Sequence, residues 1–144
     1  MDADEFLAKL DEPKIVAEIA DAEKATSGEI RVFVSCREVD DPVPRAAARF
    51  EKLGMTQTAL RNGVLLYFAP LSKKFAVVGD TGIHSKCGPE FWEKVSAEIR
   101  ERLRTEHFTD AILHGVRKVG ATLARHFPPQ AGDRDELSND LSRD

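Results

Sequence analysis

The chain has 144 residues, 42% of them hydrophobic and 32% charged, which suits one globular domain with its own core. Its net charge of -4 is concentrated in five acids against two arginines from Gln130 to Asp144, leaving the body near -1 and without the basic surface a nucleic-acid binder needs. No apolar run approaches the ~18 residues of a membrane span, and the acidic start MDADEFLAKL lacks a signal peptide's basic-then-apolar layout. The expectation is a cytoplasmic monomer with no nucleic-acid partner and no direct membrane span.

In chain order, residues 4 to 10 read as a short helical lead-in. Asp11 and Pro13 then open a helix in which Ile15, Ile19 and Ala22 recur at helical spacing to about Ala25, and Thr26-Ser27-Gly28 stops it. EIRVFVS alternates Ile30, Val32 and Val34 as a strand does. After the loop REVDDPVP, Pro44 begins a helix with Ala46, Ala47, Phe50 and Leu53, closed by Gly54, and MTQTALRNG reads as a further turn or loop. VLLYFA (64–69) is apolar on both faces, as a central covered strand should be. PLSKK reverses the chain into FAVVG (75–79), a second, antiparallel strand of a hairpin. Two helices complete the domain, one marked by Phe91, Val95, Ile99 and Leu103, the other by Ile112, Val116, Val119 and Leu123 with Thr109 as its cap. The domain is expected over residues 1–129, with 130–144 a disordered, dispensable acidic tail.

This order predicts an α/β fold, a three-layer α/β/α sandwich around a small mixed β-sheet. The strands at Glu29 and Val64 are joined through a helix and should be parallel, with a right-handed crossover. Their amino ends then share one sheet edge with the end of the third strand at Gly79. That edge collects Ser27-Gly28-Glu29, Arg61-Asn62-Gly63 and Asp80-Thr81-Gly82. Three loops thus deliver two carboxylates, hydroxyls, an amide and glycines that let backbone approach a ligand. The same triplets are also ordinary turn chemistry. Asp80-Thr81-Gly82 matches the aspartic-protease triplet, but those enzymes are all-β and carry an apolar residue where Gly79 stands, so it reads as a turn. His84 and Cys87 have half a zinc site's spacing with nothing to complete it. No phosphate-binding loop or dinucleotide fingerprint is present. Cys36 and Cys87 fall at opposite edges of the predicted sheet and read as unbridged, buried or half-buried thiols.

The segments AEKATSGEIRVFV, FEKLGMTQTALRNGVLLYFAP, KKFAVVGDTGI, FWEKV and EHFTDAILHGVRKVGATLARHFP follow, in order, the pattern of TPM domains. The resemblance spans Ile15 to Pro128 and is to the short, stand-alone bacterial branch. It implies an α/β/α sandwich, and the thylakoid-lumen, photosystem-repair and bacterial membrane-associated members imply two activities. One is acid phosphatase activity; the other is binding of a divalent cation, calcium above all and magnesium second, at acidic loops on one sheet edge. Carried over by position, the matching loops are Ser27-Gly28-Glu29, Asn62-Gly63 and Gly79-Asp80-Thr81-Gly82. The chain departs from the family where many members are acidic, since Arg61 stands just before the Asn-Gly-Val strand.

Two functions follow as expectations. The first is a soluble module binding calcium, or an unidentified protein partner, with Glu29, Asn62, Asp80 and Thr81 as metal ligands. Calcium takes six to eight oxygens, so backbone carbonyls and waters would complete the shell. The alternative is a metal-dependent acid phosphatase acting on phosphomonoesters. Its catalytic residues would be Asp80 as nucleophile or ligand, Arg61 as phosphate clamp and Glu29 as proton donor.

Overall fold

Aspartates placed just ahead of apolar-periodic runs start the first three helices. In the computed structural model, which describes residues 1–129 and 139–144, Asp2 caps α1 (Ala3–Ala8), Asp11 caps α2 (Glu12–Lys24) and Asp41 caps α3 (Pro42–Lys52). Each carboxylate accepts from a backbone N–H two or three residues on, and prolines occupy the first turns of α2 and α3. Gly54, at φ 76°, turns the chain out of α3 into a 3-10 turn over Met55–Gln57. A second 3-10 turn, Pro70–Ser72, with Lys73 left-handed at φ 53°, makes the expected reversal.

The sheet is mixed, in the order β3 (Lys74–Gly79), β2 (Gly63–Ala69), β1 (Glu29–Val34) and β4 (Ser142–Arg143). β1 and β2 are parallel, and β3 is antiparallel to β2. Side chains alternate across it. Ile30, Val32, Val34, Val64, Leu66 and Phe68 belong to a core shared with α1, α2, α5 (Pro89–Arg104) and α6 (Phe108–His126). On the other face Phe33, Leu65, Tyr67 and Ala76 pack against Ala46 and Phe50 of α3 and against Met55. All seven residues of β2 are buried, as its two-sided apolar run requires. The chain is therefore a three-layer α/β/α sandwich, with α1, α2, α5 and α6 on one face and α3 on the other.

Four expectations change. Thr109 does not cap α6, whose N-cap is His107; its hydroxyl accepts instead from the Asp11 N–H at 3.1 Å, tying the start of α6 to that of α2. The Asp80 loop contains a single helical turn, α4 (Thr81–His84), with Asp80 as N-cap. The tail expected to be disordered supplies a strand, β4 (Ser142–Arg143), parallel to β1 at Phe33 and Val34. Asp144 fixes it, accepting from the Ser35 hydroxyl and the Cys36 N–H at 2.7 Å each. The rest of the expected tail, residues 130–138, lies outside the described residues. Both cysteines are free, but Cys36 is exposed rather than buried.

The strand register brings the three predicted loops to one edge: Glu29 pairs with Gly63, and Val64 with Gly79.

Candidate functional site

Arg61 adopts a left-handed backbone, φ 51°, at the turn into β2. From there its guanidinium reaches Asp80 at the far end of β3 and donates twice, Nε to Oδ2 at 2.6 Å and Nη2 to Oδ1 at 2.8 Å. Oδ1 also accepts from the Thr81 N–H at 2.7 Å. The Asp80 side chain is 4% exposed and that of Arg61 46%, so the pair has a buried acid and a half-exposed base. Hydrogen bonding to Asp80 pushes the Arg61 guanidinium up from its ordinary value. A fork-to-fork pair of this kind fixes direction as well as distance.

Backbone contacts carry the junction further. Asp80 N–H donates to Gly63 C=O at 2.9 Å, and Gly82 N–H to Arg61 C=O at 2.8 Å. Gly82 permits that approach, because a Cβ there would sit 2.1 Å from the Leu60 carbonyl oxygen. On the β1 side, the Asn62 amide donates to the Ser27 hydroxyl at 3.3 Å, its own N–H donates to the Thr58 hydroxyl at 3.2 Å, and its C=O accepts from Glu29 N–H at 3.4 Å. The Thr26 hydroxyl accepts from Gly28 N–H and donates to the Phe127 C=O, joining this edge to the end of α6.

The structure thus brings Arg61, Asp80 and Thr81 into one cluster and Ser27 and Asn62 into another. Glu29 joins the second through its backbone, its N–H donating to the Asn62 C=O. It shares a row of the sheet with Asp80, but Gly63 stands between them, and the positions over Gly63 are taken by Phe50 and Met55. Asn62, Glu29 and Asp80 are all buried, and the parts of the edge that reach water are Arg61, Thr81 and, partly, Ser27. Among the described residues, no group of three or more His, Cys, Asp or Glu side chains gathers in a way that could hold a metal ion.

Several contributors were not legible in the sequence. Thr26 and Thr58 sit in loops and carry no periodic signal. Glu23 on α2 is buried and accepts from the Ile30 N–H at 2.8 Å. Trp92 covers the end of β3, where a Cβ on Gly79 would meet its ring at 2.8 Å, and His84 stacks on it with centroids 6.3 Å apart. This residue of α5 is thus a wall of the edge.

Comparison with known proteins gives consistent matches. The family model of the TPM domain matches residues 1–122. The NMR structure of BA42 protein from the psychrophilic bacterium Bizionia argentinensis is 39% identical, covers 92% of both chains and superimposes with a TM-score of 0.84. The solution NMR structure of the N-terminal domain of cg2496 protein from Corynebacterium glutamicum is 16% identical, covers 87% of this chain and 78% of its own, and has a TM-score of 0.60. At that identity the second likeness speaks for the fold alone. No curated protein matches the chain. Among the described residues no helix is long and apolar enough to cross a membrane.

Proposed function

The chain belongs to the TPM domain family, and from that premise we propose that it is a non-catalytic protein-interaction module. Its solvent-facing groups at this edge are Arg61, Thr81 and Ser27, and Asp80 beneath them ties the Arg61 and Thr81 loops together.

The observation that carries this reading is the Arg61–Asp80 clamp. Both Asp80 oxygens are committed, and a cation that recruited them would have to displace a bidentate guanidinium while leaving its positive charge alongside. Calcium needs six to eight oxygens, and the second expected acid, Glu29, is separated from Asp80 by the apolar side chains over Gly63. In this arrangement the residues do not fit a calcium or magnesium ion. The phosphatase reading meets the same difficulty. A nucleophile must reach the phosphorus, and a side chain 4% exposed under an arginine does not.

Three measurements on the full chain test the proposal. Millimolar calcium is expected to leave the melting temperature unchanged, since a ligand of the native state would raise it. Turnover of a phosphomonoester is expected to be the same in wild type and Asp80→Asn. A photo-cross-linking residue in place of Thr81 should give a discrete protein adduct in cells that Arg61→Glu removes. A calcium-dependent thermal shift lost in Asp80→Asn, or phosphomonoester turnover lost in it, overturns the proposal.

A further inference from the structure

The opposite end of the sheet holds an open cavity of about 740 Å³, well within the size range of small-molecule sites. It lies beyond the carboxyl end of β2, where Phe68 and Pro70 line it, at the side of an open α/β sheet where ligands ordinarily bind. Four aromatic rings form a continuous wall. Phe108 packs on Phe6 with centroids 5.3 Å apart, Phe6 on Phe68 at 5.9 Å and Phe68 on Phe75 at 6.1 Å. Leu103 adds to this wall, and it, Phe75 and Phe108 are only half-buried, so apolar surface remains open to an occupant.

Charge around the cavity is one-sided. Lys73, Lys74, Arg100 and Arg104 line it, against the single acid Glu106. Two of these cations are engaged: Lys74 Nζ donates to the Asp40 carbonyl, and Arg104 pairs with Glu101 at 2.6 Å. Arg100 lies over the Phe75 ring at 5.5 Å, and among the described residues no carboxylate pairs with it or with Lys73. A body whose net charge is near -1 therefore presents two unneutralised cations at the mouth of an aromatic-walled cavity.

We propose that this cavity binds an amphiphilic carboxylate, its apolar body against Phe75, Leu103 and Phe108 and its carboxylate on Arg100 and Lys73. The aromatic wall alone would accept any apolar molecule. The cations select the anion, because a charged group leaving water needs a charged partner. This site is separate from the loop edge at Asp80 and does not depend on the role proposed for it.

Amide-resolved NMR titration of the full chain with dodecanoate, dodecanol and dodecylammonium, all at submicellar concentration, tests the proposal. Dodecanoate should give saturable shifts at Phe75, Leu103 and Phe108. Dodecanol should bind about tenfold or more weaker, and dodecylammonium should give no shifts there. Arg100→Gln should weaken dodecanoate about tenfold, the size of one charge-assisted contact, without changing dodecanol affinity or the melting temperature. Leu103→Trp, which fills the cavity, should abolish the dodecanoate shifts in a folded protein. Equal affinity for dodecanoate and dodecanol, shifts only at the Asp80 edge, or saturable binding of an acidic peptide where dodecanoate gives none would each overturn it.

Discussion

Arg61 combines an unfavourable backbone with a favourable side chain, and the two can be separated by substitution. An L residue at φ 51° carries strain that glycine does not. Arg61→Ala removes the clamp and keeps the strain, whereas Arg61→Gly removes the clamp and relieves it. Both should melt below the wild type, with the alanine variant lower than the glycine variant by about 2–4 °C. Equal melting temperatures would mean that the turn tolerates this φ at no cost. Gly82 gives a sharper case. A methyl group there meets the Leu60 and Arg61 carbonyl oxygens at 2.1 and 2.5 Å, and backbone cannot rotate away as a side-chain tip can. Gly82→Ala is expected to cost about 2–4 kcal/mol, read as a drop in the denaturation midpoint with an unchanged slope. The convergence of these loops was legible, because strand directions alone place Glu29, Gly63 and Gly79 on one edge. The clamp was not. It depends on a left-handed arginine, and sequence reasoning expects glycine or asparagine at positive φ.

At the scale of elements, β4 is the part that sequence patterning could not supply. Two residues carry no alternation, and β4 is held by contacts at and beside it: Asp144 accepts from Ser35 and Cys36, Arg31 donates to the Ser142 hydroxyl, Arg143 pairs with Asp4, and Leu141 packs against the core. Helix α6 went astray at its start for a related reason. Phe108 opens the first turn and packs on Phe6, and Thr109 lies inside the helix with its hydroxyl accepting from Asp11. The longer elements, with apolar positions repeating over three or more turns or a full strand, fell within a few residues of expectation. Docking of β4 can be measured through Cys36. Hydrogen bonding to Asp144 raises the thiol's pKa first, with burial and the carboxylate's charge adding to it. Asp144→Asn should therefore lower that pKa and speed alkylation of Cys36 at neutral pH. Cys87, raised chiefly by burial, should stay slow in both proteins. Burial tends to raise the Asp144 carboxyl itself, but the Cys36 N–H and Ser35 hydroxyl outweigh it and hold the group below its ordinary value. A depressed carboxylate contributes its stability above the unfolded pKa and loses it as pH falls through the folded one. The amides of Ser35 and Cys36 should accordingly report release of β4 only below the ordinary aspartate range. Truncation after Pro129 should lower the melting temperature by several degrees, contrary to the dispensable tail expected from composition. An unchanged value would mean that β4 adds nothing to the body.

At the scale of the whole molecule the two faces of the sheet are unequal, and this inequality has a measurable consequence. Leu65 and Leu66 are neighbours on β2, both fully buried, and strand alternation sends them to opposite faces. Leu66 enters the large core beneath α5 and α6, where Gly115 brings helix backbone so close that a Cβ would lie 2.7 Å from the Leu66 side chain. Leu65 enters the smaller core under α3. The cost of a leucine-to-alanine change is the lost transfer energy plus a cavity term that depends on how far the surroundings can relax. Around Leu66 they are held by α5 and α6, which also pack on one another. Around Leu65 they are a single helix and a 3-10 turn, which can settle onto the sheet. Both variants should be destabilised within the usual range of about 2–5 kcal/mol for such a change, with Leu66→Ala toward the upper end and Leu65→Ala toward the lower. Chemical denaturation of the two variants, with equal slopes, gives the comparison directly. If Leu65→Ala proved the costlier, the α3 layer would be the rigid one, and the core that fixes the fold would lie on the side with one helix.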